Sequence, residues 1–197
     1  MRPYKDNLIH YNWHWHWSYG GGELANNGVH ALDVARWALG VDSPHHTSCI
    51  GGRYHFDDDQ ETPDTADATY DFGKVGMSWH GSSCLQRKHE KHSFVSVYGD
   101  GGIMSFEGGG YRIYDNAGKL VHENVPKLSD VPHFQNFINA IRKGEALNAE
   151  ISDAQKSTML CHLGNISYRE GIQIKGTEAP ENYWQRKYSE AWKPAGI

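Results

Sequence analysis

From residue 10 to residue 17 the chain alternates strictly, HYNWHWHW, so Tyr11, Trp13, Trp15 and Trp17 fall on one face of an extended segment and His10, Asn12, His14 and His16 on the other. The period then changes. Gly20 to Gly22 lead into a helical pattern from Glu23 to Leu39, in which Leu24, Ala31, Leu32, Ala35, Ala38 and Leu39 form a broad apolar face and Gly40 supplies a stop. The middle of the chain reads as strands over 47–56, 66–72, 75–82, 93–98, 102–106, 111–115 and 119–123. Links as short as Gly73-Lys74, Gly99-Asp100-Gly101 and Asn116-Ala117-Gly118 suit antiparallel hairpins, not βαβ crossovers. Two helices follow. Ser129 caps the first, Phe134, Phe137, Ile138 and Ile141 recur at helical spacing, and Gly144 ends it. Ser152 and Gln155 make a capping-box pattern at the start of the second, Met159, Leu163 and Ile166 line one side, and Gly171 closes it.

This pattern predicts an α+β fold: a predominantly antiparallel open β-sheet with helices packed on one face. It is expected to form one unit over 1–197, with its core at about 10–172 and an aromatic tail, 173–197, docked by its Tyr and Trp side chains. Trp79, Tyr98 and Tyr114 are expected to share a sheet face, and such a face suits a homo-oligomer contact.

Composition narrows the function. A length of 197 residues with 38% hydrophobic and 22% charged content allows a sizeable core and argues against disorder. The net charge of -5, with no cluster of Lys or Arg on one face, provides no footprint for nucleic acid or an anionic membrane. There is no run of about 18 apolar residues to span a bilayer, so the expected partner is small and neutral. Cys49, Cys84 and Cys161 are odd in number and widely spaced, which suggests neither a disulfide framework nor a thiolate zinc site. A reducing, cytoplasmic compartment is the default expectation, unless a segment preceding residue 1 carried an export signal. The 7 Trp and 11 Tyr, interleaved with 13 His, suit surfaces that grip sugar rings, because flat apolar rings stack on C–H faces while polar neighbours meet hydroxyls.

The informative stretch is Gly22-Glu23-Leu24-Ala25-Asn26-Asn27-Gly28-Val29-His30-Ala31-Leu32-Asp33. On a regular helix Asn26, His30, Asp33 and Trp37 lie at i, i+4, i+7 and i+11, a narrow polar stripe with a His at its centre. An imidazole beside an amide and a carboxylate can hydrogen-bond a substrate hydroxyl and take up its proton, since its ordinary pKa is near neutrality.

These residues resemble the G-x-L-x-D-x-G-x-H-x-x-D signature of the Gfo/Idh/MocA family, found at the start of that family's C-terminal α/β domain. His133-Phe134-x-x-Phe137 with Ala140-Ile141-Arg142, and the later Leu163-Gly164-Asn165-Ile166, are similar too, so the likeness spans roughly 10–172. The resemblance implies a dihydrodipicolinate-reductase-like C-terminal fold and activity on a sugar, sugar derivative or cyclitol with NAD or NADP. It implies His30 as the catalytic residue, Asp33 as an orienting or structural carboxylate, and Asn26, His14, His16 and Trp15 around the sugar. The open sheet face commonly mediates oligomerisation in that family. The family's frequent Asp at the fourth position before the His is Asn26 here, and an amide cannot act as a carboxylate base.

The cofactor half of the resemblance is missing. Gly20-Gly21-Gly22-Glu23-Leu24-Ala25 satisfies G-x-G-x-x-G/A, but its flanks lack the βαβ context that the motif needs, and no E-K-P triplet occurs. This chain alone is therefore expected to be inactive in redox chemistry, as a severed or naturally separate substrate-binding domain whose dinucleotide-binding (Rossmann) partner lies elsewhere. Two alternatives remain: a stand-alone carbohydrate-binding, dimerising scaffold, and a metal-assisted sugar hydrolase or lyase. The His14-x-His16 pair would serve the latter, but no further ligand spacing accompanies it and a metal is not expected. Asp57, Asp58, Asp59 and Glu61 read as a solvated acidic loop, and Lys88 to His92 as an exposed hairpin connection.

Overall fold

The structure, a computed structural model, describes residues 6–8, 10–84, 91–107 and 109–177. Strands β1 (His46–Gly52), β2 (Thr65–Asp71) and β3 (Gly76–Ser82) form an antiparallel meander, and the two-residue β8 (Ile174–Lys175) pairs with the free edge of β1. Strands β4 (Val95–Gly99), β5 (Gly102–Glu107), β6 (Gly110–Tyr114) and β7 (Leu120–Asn124) form a second antiparallel sheet. The fold is α+β and antiparallel, as the short turns imply. What differs is continuity, because β3 and β4 are both edge strands and the expected single sheet is divided in two. Among the described residues no helix is long and apolar enough to cross a membrane.

Period-two patterning places the core. In β2, Ala66, Ala68 and Tyr70 are buried while Asp67, Thr69 and Asp71 face outward. The buried face receives α1 (Val29–Leu39) and α3 (Ile151–Glu170). Leu32, Leu160 and Leu163 are fully buried, each stabilising the fold by about 1.5–3 kcal/mol. The Tyr70 hydroxyl donates to the Leu160 carbonyl at 3.0 Å, satisfying its one polar atom in the core. Burial pushes the Cys49 thiol up to about 11 and the Cys161 thiol up to about 12, so neither offers a thiolate at neutral pH.

The outward face is mostly polar, with Ile50 exposed beside Asp67. Ser48, Thr69 and Ser78 lie side by side across β1, β2 and β3, flanked by His80 2.7 Å from Asp67 and His46 3.3 Å from Asp71. The expected shared aromatic face is not formed: Trp79 is half-buried against the core helices, whereas Tyr98 and Tyr114 belong to the second sheet.

The helix α2 (Val131–Lys143) forms where the pattern predicts but buries no residue, so only α1 and α3 pack on the sheet. Ser129 Oγ accepts from the Val131 N–H at 3.3 Å, two residues ahead of the helix start, with Asp130 at the cap position. The capping box at Ser152 is not made; the Asp153 and Ala154 N–H groups both donate to the Glu150 carbonyl at 3.0 Å. The aromatic tail beyond residue 177 and residues 85–90 lie outside the described residues.

Candidate functional site

The signature stretch enters its helix through Gly22, whose φ of +65° is cheap only for glycine. It then widens into a π-helical turn, Leu24–Gly28, before α1 begins. Such turns hold one extra residue and often mark functional sites. Gly28 sits where a Cβ would lie 3.0 Å from the Trp79 ring, so the β3 tryptophan closes directly over the backbone at the end of the wide turn.

The extra residue breaks the regular stripe that the spacing predicts. Asn26 Nδ2 donates to the Tyr11 hydroxyl at 2.7 Å, and Asn27 Nδ2 donates to Glu23 Oε1 at 2.6 Å. His30, one turn after Asn26, is exposed. Asp33 turns to the far helix, where it accepts the Ser157 hydroxyl and lies 3.9 Å from Arg36 Nη2. Arg36 is 4% exposed, and its Nε donates to Ser157 Oγ at 2.9 Å, with Asp153 at 2.6 Å and Asp42 at 3.2 Å completing a knot between α1 and α3. Asp33 thus sits among residues that hold the helix. Trp37 points to solvent.

The aromatic segment is not extended. Asn12–Trp15 form a 3₁₀ turn, with the His14 N–H on the Tyr11 carbonyl at 3.4 Å and the His16 N–H on the Trp13 carbonyl at 3.3 Å. Tyr11 and Trp13 stay exposed and His14 stacks on Trp13 at 3.8 Å between ring centroids, whereas His16 is buried, its Nδ1 4.0 Å from Glu61 Oε1. The two His side chains of the H-x-H pair therefore have different surroundings. Among the described residues no group of three or more His, Cys, Asp or Glu is placed to hold a metal ion.

Two places result. Asn26, Tyr11, His14 and His30 lie at or near the start of α1, while Trp15 and His16 line a cavity of about 280 Å³ against the 53–61 loop. Tyr11 connects them, its hydroxyl on Asn26 and its ring edge-on to Trp15 at 6.1 Å. A larger cavity, about 790 Å³, opens between α1, β3 and β4 and includes neither Asn26 nor His30 in its lining. The residues missed from sequence are Tyr11 as partner of Asn26 and Phe56, Asp58 and Asp59 as walls of the smaller cavity. The acidic run was visible, but nothing in its spacing tied it to Trp15.

The loop bearing Phe56 is anchored by Asp64, which is fully buried and accepts the His55 and Phe56 N–H groups at 2.9 and 3.3 Å and the Thr65 hydroxyl at 3.0 Å. Burial works to raise its pKa, but these donors, with the Tyr54 N–H, hold the carboxyl below the ordinary range.

Gly20 to Gly22 follow a turn, not a strand, and α1 leads into an antiparallel strand, so the glycine run does not form a dinucleotide site.

The model of the GFO/IDH/MocA C-terminal domain matches residues 1–105. Solved structures share the fold. An aldose-aldose oxidoreductase from Caulobacter crescentus complexed with glycerol gives a TM-score of 0.65 at 18% identity, over 83% of this chain and 50% of that one. The WlbA dehydrogenase from Bordetella pertussis, in complex with NADH and UDP-GlcNAcA, gives 0.58 at 16%, over 88% and 50%. An oxidoreductase from Agrobacterium radiobacter, in complex with NAD+, L-tartaric acid and magnesium, gives 0.57 at 16%, over 75% and 47%. The chain spans about half the length of the solved structures it matches. No curated protein matches at a significant level.

Proposed function

Because the chain belongs to the Gfo/Idh/MocA family, through that family's C-terminal domain, we propose that it forms the substrate side of an NAD(P)-dependent oxidoreductase acting on a sugar, sugar derivative or cyclitol. The observation that carries this reading is local: within the matched stretch, the Asn26 amide is fixed by Tyr11 one turn before an exposed His30. The amide orients a ring hydroxyl through its free carbonyl oxygen, and the His30 imidazole takes the proton of the hydroxyl on the reacting carbon. Asp33 is a positioning residue, acting through Ser157 and Arg36 to set the pitch of the helix that carries His30. His14, stacked on Trp13, adds a flat rim suited to the C–H face of a sugar. The hydride acceptor is supplied by a nicotinamide held on another domain, fused or separate.

The test compares the protein as its source encodes it with this 197-residue chain. The encoded protein is expected to bind NAD(P)H and turn over a sugar or cyclitol, and the 197-residue chain to do neither alone. His30→Ala in the active form is expected to lower kcat by about 10²-fold to 10⁴-fold. An unchanged kcat in that variant removes His30 from the chemistry, and absence of nicotinamide binding in the encoded protein removes the oxidoreductase reading.

A further inference from the structure

Hydrogen-bond directions near the start of α1 leave two groups of opposite character facing outward. Asn26 Nδ2 lies 2.7 Å from the Tyr11 hydroxyl oxygen, and an amide nitrogen only donates, so the phenol accepts this bond and its own proton points elsewhere. Among the described residues nothing takes that proton, and Tyr11 is 55% exposed.

His14 is the complement. Its Nδ1 lies 2.5 Å from the Tyr11 carbonyl oxygen, which only accepts, so in the neutral ring Nδ1 carries the proton and Nε2 the lone pair. Among the described residues no hydrogen bond engages Nε2. Trp13 stacks on this ring at 3.8 Å and the Tyr11 ring leans over it at 4.4 Å between centroids, so the imidazole is held and offers the edge that bears Nε2. Tyr11 thus governs both groups, its carbonyl setting the His14 tautomer while Asn26 sets the direction of its hydroxyl.

A donor and an acceptor on neighbouring rings select a ligand by chemistry. A ketone or ether oxygen accepts from Tyr11 but gives nothing to His14, and an ammonium serves His14 but not Tyr11. Adjacent hydroxyls on one ring serve both, because each has a proton and lone pairs. We propose that Tyr11 and His14 are specificity-determining residues of this site and read two adjacent ring hydroxyls, Tyr11 donating to one oxygen and His14 Nε2 accepting the proton of its neighbour. The proposal rests on the sugar reading above and deepens it, since His30 is left to the hydroxyl that reacts. Asn26 also acts here as a positioning residue, through Tyr11.

The test follows the protein, isotope-labelled at its His ring nitrogens, by nuclear magnetic resonance through a titration with myo-inositol, in which every hydroxyl has a hydroxyl on each side. At about pH 8, where imidazole is neutral, His14 is expected to show a protonated Nδ1 and a bare Nε2, and inositol to shift the Nε2 signal. The His30 signal gives the half-saturating concentration in every variant. His14→Asn keeps a nitrogen that donates to the Tyr11 carbonyl and loses the Nε2 acceptor. It is expected to raise that concentration roughly threefold to tenfold, the worth of one neutral hydrogen bond, and Tyr11→Phe to do the same. Asn26→Asp turns the Tyr11 proton inward onto a carboxylate, so it should weaken binding as much as Tyr11→Phe and add nothing when the two are combined. Inositol that moves His30 and leaves His14 Nε2 unmoved overturns the proposal while the functional reading stands. A His14 proton found on Nε2, or an Asn26→Asp protein that binds as well as the unaltered one, overturns it too. No response at either ring also overturns it, and turnover by the source-encoded protein then judges the functional reading separately.

Discussion

Asp64 shows how a single side chain sets both stability and site. It is 1% exposed, and the donors it gathers come from the loop that carries Phe56. A carboxyl lowered on folding contributes stability that is fully present above its unfolded value, here 3.8, and is lost as pH falls through the folded one. Asp64→Asn is therefore expected to lose about 1–3 kcal/mol at neutral pH, since two hydrogen-bonded N–H groups lose their charged acceptor. It should also flatten the acid limb of stability below about pH 4. Urea unfolding at pH 7 and pH 3 checks both, and equal losses at the two values would remove the ionised carboxylate from the explanation. At this scale the sequence placed Asn26, His30 and Asp33 on one regular helix, whereas Asn26 lies in the π turn that precedes α1. It could not show that Asp33 serves Ser157 or that Asn26 serves Tyr11, because both partners are distant in the chain and neither contact leaves a spacing signal.

Elements were legible where one period ruled and obscured where two competed. The strands of the first sheet follow alternation, hairpin turns join the strands of both, and Gly40, Gly144 and Gly171 all end helices with positive φ. The segment 10–17 alternates as a strand would, yet i to i+3 backbone bonds and the stacking of His14 on Trp13 favour a 3₁₀ turn. The π turn was equally hidden, since a helical pattern does not reveal an inserted residue until Trp79 is seen against Gly28. Gly28→Val is expected to drive Trp79 off the helix, costing about 1–3 kcal/mol by overpacking and shifting the indole fluorescence. The knot at Arg36 makes a second element-scale prediction. Its guanidinium reaches Ser157, Asp153 and Asp42 at once, which a lysine ammonium cannot match in a planar fork. Arg36→Lys should lower the melting temperature by roughly 3–8 °C, following a loss of about 1–2 kcal/mol in a chain of this size. In the active form it should lower kcat as well as raise KM, because it loosens the helix that carries His30. A melting temperature that does not move would leave the knot without energetic weight.

For the whole molecule, apolar surface is distributed against expectation. Trp79, expected on an open aromatic face, lies on the core side of its sheet, while the outward side carries hydroxyls, two His–Asp pairs and the exposed Ile50, so self-association through it would be mostly polar and salt-sensitive. Among the large uncovered side chains, three fall together on α2, where Phe134, Phe137 and Ile141 are each more than half exposed. The helical pattern of that segment was plain in the sequence, but pattern tells which side of a helix is apolar and not what covers it. This difference is measurable. In the isolated chain α2 buries no residue fully, so Phe137→Ser removes little packing and should leave the melting temperature within about 2 °C, while reducing the binding of a dye that fluoresces on apolar surface. Leu163→Ala, at a fully buried position on α3, should by contrast cost about 2–5 kcal/mol, or roughly 5–15 °C. If Phe137→Ser instead proves as costly as Leu163→Ala, its ring is buried in solution, and the cover must come from outside the residues that pack here. A dependence of that cost on protein concentration then identifies a second copy of the chain as the cover, since only an intermolecular contact is governed by mass action.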